Sequence, residues 1–233
     1  MCESAPLPPG QRESADFPRF GITRFAKRFP RQIDTFEIQI AGAVATPIII
    51  DTSTCELPRV DQESDFHCVT TWSHRGVRWS GFRFRDIYES IIAPDAKPKT
   101  DATFVILRGQ DGARTSLPLD DLLADDVLVA DMLNGHPLTV DHGAPIRIVA
   151  PRHYGYKSVK HLSRIEFWQD DSHFLPSAFR FMDHPRARVA HEERGIGYPG
   201  WLLRYLYRPL IRPTVKRFRS ASAEYNEKAD RVI

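Results

Sequence analysis

Apolar residues recur along this chain at two periods. In FEIQI, residues 36–40, Phe36, Ile38 and Ile40 alternate with polar neighbours, the period of a half-buried strand. PIIID (47–51), TFVIL (103–107), VLVADML (127–133) and RIEFW (164–168) read as further strands, and ARTSLP (113–118) as the hairpin partner of TFVIL across a GQDGA turn. FHCVTTW (66–72) is also strand-like through Val69, Thr70, Thr71 and Trp72, all good sheet formers. Helical spacing is rarer. Phe84, Ile87, Tyr88 and Ile91 predict a short amphipathic helix, and PLDDLLADD (118–126) a second one opening with acidic residues. Many short strands with few helices and no internal repeat predict an α+β fold.

The two ends have a different texture. Residues 1–18 are rich in Pro, Ser, Gly and charge and are expected to form a mobile arm. RFGITRFAKRFPR (19–31) carries five basic residues, no acid, and Phe20, Phe25 and Phe29 between them. Such a segment can lie across an anion, or simply present a solvated basic face. The main domain is expected over 19–175. Residues 176–233 then form a C-terminal extension wrapping the same domain. No acid stands between Gly195 and Ala223, and Arg204, Arg208, Arg212 and Lys216 fall four apart. Pro209 and Pro213 predict a short helix through about Tyr207 followed by an extended tail. Trp201, Leu202, Tyr205 and Leu206 are expected to pack that segment onto the domain. The alternative is a docking strip for an acidic redox partner or a membrane surface.

Composition narrows the class. The chain has 233 residues, 42% hydrophobic and 27% charged, as in an ordinary globular protein. A net charge of +2 gives no bulk argument for nucleic acid. Cys2, Cys55 and Cys68 are too few for a disulfide framework. No apolar run is long enough to span a bilayer, and no signal stretch or twin arginine is visible. The expectation is a cytoplasmic protein without a transmembrane segment.

Cys68 lies in DFHCVTTWSHRGVRWSG among aromatic, histidine and arginine residues. A thiolate is a soft ligand suited to a redox-active transition metal, and Arg75 and Arg78 would favour it over the thiol. Alternatively, Cys68 is a small buried hydrophobe. His67, His74 and His153 could line a pocket or be satisfied histidines. Asp120, Asp121, Asp125 and Asp126 lack a calcium-loop pattern, and His184, His191, Glu192 and Glu193 fit no zinc spacing.

A second block bears on these readings. After the cysteine come Trp72-Ser73, then Trp79 and Gly81 before a helix. Next are the turn Asn134-Gly135 with Pro137-Leu138, HGAPIR (142–147), YGYKSVK (154–160) and the strand RIEFW. In order and spacing over about 36–170 this resembles the sulfite-oxidase-type molybdopterin-binding oxidoreductases. It is nearer to bacterial methionine-sulfoxide reductase catalytic subunits than to true sulfite oxidases. Those usually follow the cysteine with glycine or asparagine and an arginine pair, where Val69, Thr70 and Thr71 stand here.

The resemblance implies the sulfite-oxidase fold, with mixed sheets and peripheral helices around a buried molybdopterin. It implies a molybdenum cofactor (Mo-molybdopterin) with Cys68 as the metal thiolate, bound also by Thr103, His142, Arg147, Ser158, Val159 and Lys160. Close relatives carry asparagine where His142 stands. Arg75 and Arg78 are the expected catalytic contacts to substrate. The implied chemistry is two-electron oxygen-atom transfer, more on an S-oxide than on sulfite, with a non-catalytic molybdopterin module as the rival. A small-molecule substrate and a separate electron-transfer partner are expected. A chain of this length has no room for the family's dimerisation domain, so a monomer is expected.

Overall fold

The computed structural model describes residues 6–52 and 56–230. Cys2 and Cys55 lie outside the described residues. Along the chain run β1 (Arg12–Glu13), β2 (Glu37–Gly42), β3 (Ile48–Asp51), β4 (Val60–His67) and β5 (Trp72–Arg83). Then come α1 (Phe84–Ile87), β6 (Phe104–Gly109), β7 (Arg114–Pro118), α2 (Leu119–Leu122), β8 (Leu128–Leu133), β9 (His136–Pro137), β10 (Arg147–Val149) and β11 (Leu162–Trp168). Two helices close the described chain, α3 (Gly200–Tyr207) and α4 (Ile211–Asp230).

The strands form two mixed sheets, as an α+β chain requires. One has the order β3-β2-β11-β6-β7, with β11 parallel to β2 and antiparallel to β6. The other has β5 as its long central strand. β4 runs antiparallel along β5, β1 pairs parallel at Trp72 and Ser73, and β8 takes the far end. Period-two patterning explains the layering. Phe82, Val129 and Ile148 face the first sheet and join its Ile38, Ile40, Leu107 and Ile165 in the main core. Their neighbours Leu128, Ala130 and Val149 point the other way, with Val77 and Trp79, into a second core beneath the site loops. Burial of such side chains contributes about 1.5–3 kcal/mol each, so both faces of this sheet are held firmly.

Five local expectations are corrected. FHCVTTW is not one strand. β4 ends at His67, Val69–Thr71 turn back, and β5 begins at Trp72, because Gln11 and Arg194 hold the carbonyls of Cys68 and Val69. α1 is a single turn that widens into a π-helix over Tyr88–Ala96, with Pro94 inside it. Residues 6–18 are not a free arm. β1 is laced to β5, with the Arg12 N–H donating to the Thr71 carbonyl at 2.9 Å, and Gln11 is buried.

The tail is not extended either. α4 is 20 residues long, because Pro213 falls in its first turn, where N–H groups have no intrahelical acceptor anyway. On α3 the buried residues are Leu203 and Tyr207, whereas Trp201, Tyr205 and Leu206 are more than half exposed. The face expected to pack inward therefore points outward. Between β11 and α3 the chain does wrap the domain in irregular structure. Ser177 Oγ bridges the Arg114 backbone, and Asp183 meets the buried Lys157 Nζ at 3.0 Å. Among the described residues no helix is long and apolar enough to cross a membrane.

Candidate active site

Cys68 sits at the head of the β4–β5 hairpin. Its N–H donates to the Trp72 carbonyl at 2.8 Å, and the Thr71 N–H donates back to the Cys68 carbonyl at 3.0 Å. The turn forces Thr71 to φ +91°, an uncommon conformation for a β-branched residue. It is held from three sides. Gln11 Nε2 donates to the Cys68 carbonyl at 3.1 Å. The fully buried Arg194 donates to the carbonyls of Val69 (2.5 Å) and Pro9 (3.1 Å), and Arg208 Nε to Thr71 Oγ1 at 3.2 Å. The thiol is buried, with Thr70 Oγ1 at 3.1 Å. Burial raises its pKa, and the Thr70 contact and the positive charges of Arg194 and Lys160 pull the other way.

The HGAPIR and YGYKSVK loops close over the second core beside this turn. Arg147 is fully buried. Its Nη1 donates to the His142 carbonyl at 2.9 Å and its Nη2 to the Ser158 carbonyl at 3.1 Å, so one guanidinium ties the two loops together. It also lies over the Trp79 ring, 4.9 Å from its centre. Lys160 Nζ donates to the Asp141 carbonyl at 2.5 Å.

These groups carry more buried positive charge than the nearby carboxylates of Asp111 and Asp141 offset. Burial and its cationic neighbours Arg147 and Arg19 push Lys160 down to about 7, and burial pushes Arg147 down to about 9. Burial with Lys160 and Arg147 alongside lowers His142 to about 3 and contributes to lowering His161 to about 4. His142 Nδ1 and Trp72 Nε1 are buried without a hydrogen-bond partner among the described residues. A cation surplus and idle buried donors are what a polar anionic ligand would complete, since unpaired buried polar groups cost roughly 1–3 kcal/mol each. Phe17 packs against Phe66 and His142 at the rim, where a cleft of about 230 Å³ opens beside Arg19.

Of the residues singled out in the sequence, the structure brings together Cys68, His142, Arg147, Ser158 and Lys160. Ser158 Oγ accepts from the Ala150 N–H, and Val159 lies in the main core with its carbonyl accepting from Ile148. Three do not converge. Thr103 is exposed at the start of β6 in the other sheet, and its hydroxyl donates to the Gln169 carbonyl. Arg78 points outward from β5, because it alternates with the buried Val77 and Trp79. Arg75 reaches Glu13 (3.4 Å) and Asp65 (3.9 Å). His67, His74 and His153 each bond protein oxygens, of Ser73, Ser14 and Arg186. Asp125, Asp126 and Asp121 are paired with Arg85, Arg152 and Arg186, and among the described residues no cluster of His, Cys, Asp and Glu could hold a metal.

Sequence reasoning missed Gln11, Arg194 and Trp72 Nε1. Gln11 and Arg194 lie far from Cys68 along the chain, and nothing local marks them.

Residues 26–174 match the model of the oxidoreductase molybdopterin binding domain. The chain belongs to this family. Among its relatives, the uncharacterized oxidoreductase YuiH of Bacillus subtilis is 35% identical over 170 residues, 72% of this chain and 82% of that protein. The catalytic subunit MsrP of the protein-methionine-sulfoxide reductase of Campylobacter jejuni is 28% identical over 191 residues, 70% of this chain and 62% of that protein. The crystal structure of the sulfane dehydrogenase SoxCD from Paracoccus pantotrophus shares the fold, with a TM-score of 0.52 and 22% identity. That likeness covers 66% of this chain and 44% of the other.

Proposed function

We propose that this oxidoreductase holds a molybdenum cofactor (Mo-molybdopterin) through Cys68 and reduces the S-oxide of a small molecule. The observation that carries the reading is a buried thiol on a braced turn, beside buried cations that Asp111 and Asp141 only partly offset. Cys68 would ligate the metal. Lys160 and Arg19 would meet the anionic end of the pterin, and His142 Nδ1 and Trp72 Nε1 would bond its polar edge. Arg147 would act through the two loops it joins. The bound metal supplies the two-electron oxygen-atom transfer.

In that reaction the S–O bond breaks, sulfur gains two electrons, and the oxygen leaves as water with two protons. The electrons come from a separate donor protein. Arg75 and Arg78 lie outside this machinery. That favours an S-oxide over sulfite, for which cations next to the cysteine would be needed.

Metal and pterin analysis of wild type and Cys68→Ser, with sulfoxide reduction and sulfite oxidation assayed using artificial electron carriers, tests the reading. We expect molybdenum and sulfoxide reduction in the wild type and loss of both in the variant. Equal molybdenum in both proteins, or sulfite oxidation without sulfoxide reduction, overturns it.

A further inference from the structure

A cleft of about 480 Å³ lies between β1, the Cys68–Trp72 turn and the junction of α3 with α4. Arg12, Arg208 and Arg212 line it, with Glu13 as the one carboxylate and Thr71 and Trp72 forming the wall nearest the cysteine turn. Glu13 is drawn to Arg75. Arg208 reaches Thr71 through Nε, and burial, followed by the positive charges of Arg12, Arg204 and Arg194, lowers its pKa. Arg204 and Arg194 share the single carboxylate of Glu192. Among the described residues Arg12 and Arg212 make no side-chain hydrogen bond or ion pair.

Three arginines therefore face one cleft whose only acid is engaged elsewhere. Planar guanidinium groups suit a bidentate carboxylate. The volume far exceeds that of a simple oxyanion, and the walls from Trp72 and Ile211 are apolar. All three arginines lie outside residues 26–174, so the charge of the cleft comes from this chain's terminal segments, set against Thr71 and Trp72 of the matched domain.

We infer that this cleft is a substrate subsite that selects organic S-oxides bearing a carboxylate. Arg12 and Arg212 hold the anionic end while the apolar body lies along Trp72, next to the turn that presents Cys68. This rests on the S-oxide reading above for its substrate class, and on the cleft alone for its charge preference.

The test is calorimetric binding to the full, cofactor-loaded chain without any electron donor. The probes are N-acetylmethionine S-oxide and the same S-oxide as its neutral methylamide. Arg12→Ala/Arg212→Ala is the informative variant, because neither side chain is tied into the fold, whereas Arg208 props Thr71. We expect the wild type to bind the carboxylate about tenfold more tightly than the amide, a ratio that collapses towards one in the variant and at high salt. Equal affinities in the wild type, binding of neither probe, or a preference that survives in the variant overturns the subsite. When the same probes are then assayed with an artificial electron donor, selective binding without reduction of either probe leaves the subsite standing and overturns the S-oxide reading alone.

Discussion

Gln11 Nε2 donates to the carbonyl oxygen of Cys68 at 3.1 Å, across 57 residues of chain. The same amide accepts from Ser73 Oγ at 2.9 Å, and Ser73 Oγ lies 2.8 Å from His67 Nδ1. The turn that presents the thiol is thus braced by a segment preceding the matched domain.

Gln11→Leu should leave the Cys68 carbonyl and the Ser73 hydroxyl short of a partner. A loss of about 1–3 kcal/mol in unfolding free energy is expected, measured by urea titration. Faster release of molybdenum on dialysis should accompany it. Wild-type stability and retention would show that the turn holds itself.

Arg147 and Lys160 should separate in their effects. Arg147→Ala removes a buried group that joins the carbonyls of His142 and Ser158, so it should destabilise the cofactor-free protein by about 2–4 kcal/mol and strip the pterin as well. Lys160→Ala removes a cation that the fold itself depresses to about 7. Its cofactor-free stability should hold or rise while pterin retention falls about tenfold. Chemical denaturation and pterin content measured on the same preparations distinguish the two.

His161 makes stability depend on pH. Its folded pKa is about 4 against an ordinary 6.5, chiefly because the ring is buried. As pH falls from 6.5 to 4 the unfolded chain takes up the proton first, so stability is lost across that window. The contribution approaches roughly 3 kcal/mol. His161→Asn, which tolerates the positive φ of 55°, should shrink the loss between pH 7 and pH 4.5 in denaturation curves.

Gly81 lies on β5 directly against the backbone of β8. A Cβ there would stand 2.3 Å from the Val129 carbonyl oxygen and 2.6 Å from the Ala130 Cα, both fixed backbone. Gly81→Ala should cost about 3 kcal/mol by forcing the strands apart, read as a lowered Tm.

β2, β3, β6, β7, β8 and β11 were legible in the sequence, because runs of apolar residues are a local property read over five or six positions, whereas β4 and nearly all of β5, with charged residues throughout, were not. Cys68, Arg147 and Lys160, which the structure brings together, each stand inside a short motif of fixed spacing. What tertiary structure alone decided is how remote segments meet. Val69–Thr71 have strand propensities, yet turn, because Gln11 and Arg194 hold the carbonyls of Cys68 and Val69. Thr103 and Arg78 fall near the motifs in sequence, yet one sits in the other sheet and the other on an outer face. Pro209 and Pro213 read as breakers, but each falls at the start of a helical segment, where a missing N–H costs nothing. Leu203 and Tyr207 are buried on α3 instead of Trp201 and Tyr205, because the side of the helix facing the domain is set by what it packs against. Local pattern states which residues can be buried; only the packed chain settles which of them are.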